Sequence, residues 1–170
     1  MKRIKSEVAM VRVCFVCLGN ICRSPTGEGI MLSLVRSAGL ENAIKVDSAG
    51  TSAFHVGERA DRRSRATAEV HGVDLPSRAR QFVAADFERF DYIIAMDTSN
   101  KRNILALSPT STDHQKVSLL CDFDPQSKKG SSVPDPYYGG ESGFEHVFQL
   151  CKRGCEGLLA HIREQHGFNH

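Results

Sequence analysis

Nine consecutive residues hold most of the groups in this chain that can do chemistry: Cys17-Leu18-Gly19-Asn20-Ile21-Cys22-Arg23-Ser24-Pro25. A thiolate is a strong nucleophile. An arginine presents a planar, permanently charged fork that grips two oxygens of a phosphate. Cys17 opens the segment and Arg23 closes it. An apolar run, Val11 to Val16, precedes it, and a helical pattern follows. A strand–loop–helix junction of this kind aims several backbone N–H groups at one anion. Gly19 admits backbone geometry that other residues resist, and Asn20 tolerates a left-handed conformation. Amide dipoles, a helix N-terminus and a guanidinium would all favour negative charge on the Cys17 sulfur, and the Ser24 hydroxyl can donate to it. The implied chemistry is attack by sulfur on a bound phosphate-like anion. The chain lacks G-x-x-x-x-G-K-[ST], and no G-x-G-x-x-G follows a strand, so neither a nucleotide P-loop nor a dinucleotide site is expected.

The elements that must position this segment are legible as an alternation. Val11 to Val16 is nearly continuous apolar sequence, as parallel strands buried on both faces are. Ser24 is placed as an N-cap with Pro25 in the first helical position, and Gly39 as the C-terminal stop. Ile44 to Ser48 is a second strand ending at Gly50; Asp61 caps a helix that Gly72 ends. Phe82 to Phe90 is a short helix or turn, Tyr92 to Met96 a third strand, Asn100 to Leu107 a helix closed by Pro109, and Val117 to Leu120 a fourth strand. Residues 121–142 form a long loop rich in Asp, Pro, Gly and Ser, expected to be functional or mobile. Phe144, Val147, Phe148, Cys151, Cys155, Leu158, Leu159 and Ile162 then make one helical stripe. Strands alternating with helices predict an α/β fold: a four-stranded parallel sheet with right-handed crossovers. Ligands of such sheets sit beyond the carboxyl ends of the strands, which points at Cys17, Ser48, Met96-Asp97 and the loop after Leu120.

The segment C-L-G-N-I-C-R-S-P resembles the phosphate loop of the low-molecular-weight protein tyrosine phosphatase family. The resemblance continues in Asp47-Ser48-Ala49-Gly50-Thr51, His55-Val56-Gly57, Met96-Asp97 with Asn100, and Asp135-Pro136-Tyr137-Tyr138. It implies a three-layer, flavodoxin-like phosphatase fold with helices on both faces of the sheet, and metal-independent hydrolysis of phosphotyrosine in proteins and small aryl phosphates through a cysteinyl-phosphate. By matching position, Cys17 resembles the nucleophile, Arg23 the phosphate clamp and Asp135 the general acid. Asn20, Ser48 and His71 resemble the hydrogen-bond network that holds the loop, which Leu18, Gly19, Ile21, Cys22 and Ser24 complete. Leu18, Ile21, Phe54, Tyr137 and Tyr138 resemble the walls of the phenyl pocket. No metal or cofactor is expected. The sequence departs from the family in three places: Phe54 where Trp is frequent, and Thr26 and Gly27 just after the loop.

The spacing of single residues separates their competing roles. Cys14 and Cys17 form a C-x-x-C, a pattern of zinc and redox sites, but residues three apart on a strand point to opposite faces, so Cys14 is assigned to the core. Cys151 and Cys155 lie four apart on an apolar helical stripe and are core residues too, and Cys121 starts the long loop. Cys22 lies inside the curled loop near Cys17, where it can capture an oxidised Cys17 as a disulfide. Asp122 and Asp124 compete with Asp135 for the acid role, and Asp97 suits a helix start or a loop brace. Two other activities of the same scaffold fit less well. Arsenate reduction needs a downstream cysteine pair, and residues 72–120 contain no cysteine. Relatives that act on phosphoarginine tend to carry Thr where Ile21 stands here. A phosphate-binding module without turnover is the non-enzymatic alternative.

Length and composition bound the rest. A chain of 170 residues is expected to form one domain, residues 1–170, with 1–9 a loose N-terminal extension. The 41% hydrophobic and 25% charged content is ordinary for a globular protein. A net charge of +2 implies no nucleic-acid partner, and no apolar run is long enough for a membrane span. Lys2, Arg3 and Lys5 precede an apolar stretch in the manner of a secretory signal, but Arg12 interrupts it and no clear cleavage pattern follows. Six cysteines are too few for a disulfide scaffold, so a reducing, cytoplasmic setting is expected. The partners expected are tyrosine-phosphorylated proteins, and the chain itself is expected to be a monomer.

Overall fold

The first strand, β1, runs Val11–Cys17 and buries six of its seven residues. It can do so because it lies inside the sheet, paired in parallel with β2 (Ile44–Gly50) on one side and β3 (Tyr92–Ala95) on the other. A fourth strand, β4 (Val117–Leu119), pairs in parallel with β3, giving the order β2-β1-β3-β4. The computed structural model that shows this describes residues 10–108, 110–137 and 139–168. The expected extension 1–9, the helix-ending Pro109 and the pocket residue Tyr138 lie outside the described residues.

Side chains of β1 alternate between two cores. Val13, Phe15 and Cys17 pack with α1 (Arg23–Ser37) and α6 (Glu141–His166), while Cys14 and Val16 face the second layer. That layer contains Phe82, Phe87 from the short α3 (Asp86–Arg89) and Ile104 from α4 (Thr98–Leu105). The opposite facing of Cys14 and Cys17 is the strand geometry expected from their spacing. Helix α2 (Arg62–Val70) packs against α1 and α6, so the expected parallel sheet with helices on both faces is present. All eight residues of the predicted α6 stripe are buried.

Several local expectations change. Helix α1 begins at Arg23, and its N-cap position is Cys22 rather than Ser24. Ser24 therefore sits in the first turn with its hydroxyl turned to the Cys17 sulfur. Helix α4 begins two residues early because the Asp97 carboxylate accepts the Asn100 N–H at 2.7 Å and caps it. A four-residue helix, α5 (Ser111–His114), had no separate signal in the sequence and is capped by Thr110. Gly27, a departure from the family pattern, has a packing reason. A β-carbon there would stand 2.9 Å from the Phe15 ring and 3.0 Å from the end of Met96, so glycine lets α1 lie close on the sheet.

The long loop after β4 is more ordered than its composition suggests. It starts as a 3₁₀ turn, Leu120–Phe123. The buried Asp124 carboxylate then accepts from the Gln126 amide, the Ser127 hydroxyl and the Arg153 guanidinium. Burial works against that charge, but these donors outweigh it and hold the carboxyl below the ordinary carboxylate range. Asp122 accepts the Gly130 N–H at 2.7 Å. Farther on, Val133 is fully buried and its N–H donates to the Met96 carbonyl at 2.8 Å, tying the loop to the end of β3.

Candidate active site

Cys17 is the last residue of β1, and the loop that follows curls back to start α1 at Arg23. The curl requires one left-handed residue, and it is Asn20, with φ 56°. Gly19 was expected to supply unusual backbone geometry, but its φ is not positive. Its reason is space: a β-carbon on Gly19 would stand 3.0 Å from the His55 ring. Asn20 is 2% exposed, and its side chain is fully used. Its amide donates to the Ser24 hydroxyl at 2.8 Å and to the Ser48 hydroxyl at 3.0 Å, and its carbonyl accepts the Arg80 N–H at 3.0 Å.

The Cys17 sulfur meets the start of α1. The Ser24 hydroxyl lies 3.0 Å from Sγ, and the Ser24 N–H donates to Sγ at 3.4 Å. The sulfur thus accepts one of the N–H groups that the first helical turn leaves without an intrahelical partner. The Ser24 oxygen accepts from Asn20, and its one proton can go to the sulfur at 3.0 Å or to the Ala49 carbonyl at 3.4 Å. Donors of this kind favour an anion at Sγ. Cys22, buried in the same loop, is a second thiol lining the cleft. Burial, with help from nearby Asp61, pushes its thiol up to about 12, so it stays protonated at neutral pH.

Arg23 is 3% exposed and held from two other segments. Its Nη1 donates to Asp97 at 2.5 Å and to the Val133 carbonyl at 3.0 Å. Its Nη2 remains for the cleft and lies 3.7 Å from an Asp135 oxygen. Burial opposes the charge, but Cys17, Asp97 and Asp135 more than offset that and raise the guanidinium further. The brace on Asp97 was among the roles read from its position; the carbonyl of Val133 carried no sequence signal, since any residue supplies one.

One expected member of the network lies elsewhere. His71 is the C-cap of α2, stacks on Phe148 at 4.2 Å and meets the Glu145 carboxylate at 2.9 Å. It points to α6 and away from the loop. Glu28 does the job expected of it. The Ser48 hydroxyl donates to Glu28 at 2.6 Å, extending the chain Cys17–Ser24–Asn20–Ser48 into the core. Burial pushes the Glu28 carboxyl up, countered in part by hydrogen bonds from Ser48 and Ser77. Glu28 lies one helical turn beyond Ser24 and could have been found as an acid on the inward side of α1. Arg80 was also missed: its guanidinium pairs with Asp47 and with the fully buried Asp86, pinning the strand-like segment whose amide holds Asn20.

Above Cys17 opens a cleft of about 370 Å³, a size typical of small-molecule sites. Cys17, Arg23 and Asp135 line it, with Leu18, Ile21 and Tyr137 among its walls. Phe54, 84% exposed, stands at the rim edge-on to His55. The His55 ring bonds Glu58 and adds an aromatic wall that the residue pattern alone did not single out. Asp135 is 42% exposed, and its Oδ1 accepts the Tyr137 N–H at 3.0 Å, which aims the carboxyl into the cleft.

Residues 12–167 match the family described as low molecular weight phosphotyrosine protein phosphatase. A low molecular weight protein-tyrosine-phosphatase of Streptomyces coelicolor is 46% identical over 155 residues, which cover 91% of this chain and 94% of that protein. The crystal structure of a protein tyrosine phosphatase from Entamoeba histolytica is 40% identical, with a TM-score of 0.86 over 94% of this chain and 99% of its own. A Drosophila arginine phosphatase is 34% identical, with a TM-score of 0.81 over 89% of this chain and 97% of its own. The match spans the sheet, the curled loop and the Asp135 segment alike, and the chain belongs to the low molecular weight phosphotyrosine protein phosphatase family.

Proposed function

We propose that this protein hydrolyses phosphotyrosine in proteins, and small aryl phosphates, with Cys17 as nucleophile, Arg23 as phosphate clamp and Asp135 as acid and then base. The observation that carries this is the convergence of the three groups on one cleft, from the end of β1, the start of α1 and the loop docked through Val133. In the first step the Cys17 sulfur attacks phosphorus, the bond from phosphorus to the phenolic oxygen breaks, and Asp135 gives its proton to that oxygen. In the second, water attacks the cysteinyl-phosphate, Asp135 takes a proton from it, and the sulfur–phosphorus bond breaks to release phosphate. Dividing the reaction this way replaces one difficult step by two easier ones. Charge on the phosphoryl oxygens is met by Arg23 and the loop amides, so the reading calls for no cofactor. Leu18, Gly19, Ile21 and Cys22 shape the loop, Asn20, Ser24 and Ser48 hold it, and Phe54 and Tyr137 flank the ring.

Phosphoarginine is the second reading, favoured by the likeness to the Drosophila arginine phosphatase. Ile21 tells against it, because an apolar wall in the cleft suits a phenyl ring better than a guanidinium. The test is turnover of an aryl phosphate and a phosphotyrosine peptide beside a phosphoarginine peptide, with and without a chelator. The tyrosine and aryl substrates should be hydrolysed at rates the chelator leaves unchanged, with the arginine substrate at least about tenfold slower.

We read the chain as one phosphatase domain acting as a monomer on phosphoproteins in the cytoplasm. No helix among the described residues is long and apolar enough to cross a membrane. Six buried free cysteines among the described residues suit a reducing compartment. Oxidation should act through the loop. A peroxide-oxidised Cys17 is expected to be captured by Cys22 as a disulfide that dithiothreitol reverses, so Cys22→Ser should become irreversibly inactivated instead. Because the Cys22 thiol is pushed up to about 12, its reactive thiolate grows as pH rises, and the recoverable fraction should be larger at alkaline than at neutral pH. Peptide mapping checks this; equal recovery of parent and mutant would leave Cys22 a packing residue.

A further inference from the structure

Leu18 is 49% exposed and stands between two depressions. One is the cleft above Cys17. The other is a shallow groove of about 500 Å³, which shares Leu18 and Ser52 with the cleft and so continues it across one side chain. Val83 and Leu107 line this groove and are 44% and 42% exposed. They come from different parts of the chain, the segment before α3 and the end of α4, and meet Leu18 from the phosphate loop. Three of the seven large hydrophobic side chains exposed among the described residues thus gather in one place, and a fourth, Phe54, stands at the rim of the cleft. Apolar side chains scattered singly need no explanation, but a patch continuous with a catalytic cleft points to a ligand. No charged side chain lines the groove; its polar members are neutral, such as Gln81 and Asn103.

We propose that this groove is a second substrate subsite, which takes an uncharged aliphatic or aromatic side chain one or two residues from the phosphotyrosine. The proposal rests on the phosphotyrosine reading above and names which phosphoproteins the site prefers. A tyrosine ring reaching down to Cys17 leaves its own backbone outside the mouth of the cleft, so the flanking residues must cross the rim. Successive Cα atoms are about 3.8 Å apart, so a neighbour one or two residues away reaches past the width of a single leucine. An apolar side chain there covers Leu18, Val83 and Leu107 and removes their surface from water. A carboxylate or ammonium would lose hydration and find no partner of opposite charge in the groove.

The experiment uses phosphotyrosine peptides with alanine at all flanking positions, and sets in which leucine or aspartate replaces each of the two residues on either side. Leucine at one of these positions should raise kcat/KM about five- to tenfold over alanine, and aspartate there should lower it. Val83→Asp and Leu107→Asp should each abolish the leucine advantage while leaving turnover of a small aryl phosphate unchanged. Val83→Ala and Leu107→Ala should reduce the advantage without adding charge, and they serve if an aspartate variant does not fold. Leucine no better than alanine at every position overturns the proposal. So does a leucine advantage that survives all four variants, or variants that lose aryl phosphate turnover in the same proportion. Absence of aryl phosphate turnover in the parent protein would instead overturn the phosphatase reading itself.

Discussion

Replacing Cys17 by serine should cut phosphatase turnover to under about one percent while leaving a folded protein that still binds phosphate. The chemistry fails because an alcohol oxygen is a far weaker nucleophile at neutral pH than a sulfur that accepts the Ser24 N–H and faces the Ser24 hydroxyl. Binding survives because the anion is held by groups the substitution does not touch. Arg23 stays clamped between Asp97 and the Val133 carbonyl, and the loop stays curled around Asn20 and its three hydrogen bonds. The swap is close to isosteric at a site only 3% exposed, so no large cavity opens. Phosphate release from an aryl phosphate measures the loss, and calorimetric titration of the serine variant with inorganic phosphate measures the binding. Retention of more than about one percent of turnover would remove Cys17 from the nucleophile role.

Replacing Asp135 by alanine should slow hydrolysis of phenyl phosphates with poor leaving groups by about 10²–10⁴-fold. The loss should shrink steadily as the phenol becomes more acidic, since a better leaving group needs less of a proton. This dependence separates a proton donor from a residue that only shapes the cleft, which would cost every substrate alike. The neighbouring acids are poor substitutes. Asp122 is committed to the Gly130 amide, Asp124 is buried among Ser127, Gln126 and Arg153, and Asp97 caps α4 while holding Arg23. Alanine at the buried Asp124 should therefore lower stability by about 1–3 kcal/mol, and at the exposed Asp122 by less, with no dependence on the leaving group in either. A uniform loss across leaving groups in Asp135→Ala would move the acid role elsewhere.

Much of this site was legible because its first half is local in sequence. A strand, a curled loop and a helix start occupy adjacent residues, so side-chain type and order carry the geometry of Cys17, Asn20, Arg23 and Ser24. The sheet was legible for a related reason: continuous apolar runs mark strands buried on both faces, and the three-and-four spacing of Phe144 to Ile162 marks a helix with one buried side. Where the readings moved, contacts made by the folded chain decided. Ser24 has the composition of an N-cap, yet α1 starts at Arg23 with Cys22 in the cap position, while the Ser24 hydroxyl makes its expected contact with Cys17. His71 and Glu28 show the same effect. Both are polar groups on or at the end of a helix, but α2 ends with His71 turned toward α6, and α1 turns Glu28 inward to Ser48.

The amino-acid sequence by itself determined the strand–loop–helix segment that carries Cys17 and the parallel α/β architecture, because each depends on neighbours along the chain. Only the tertiary structure decided what holds Arg23 and which of the three loop aspartates reaches the cleft. Asp97 lies 74 residues from Arg23 and Val133 lies 110 residues away. They reach it because the strand order places the end of β3 beside the end of β1, and because a buried Val133 docks the loop there. That docking leaves Asp122 and Asp124 bound up in the loop's own turns and Asp135 alone of the three at the cleft. Local spacing carries no information about such pairings, since they arise from which strands are neighbours and from which side chains the packed interior leaves exposed.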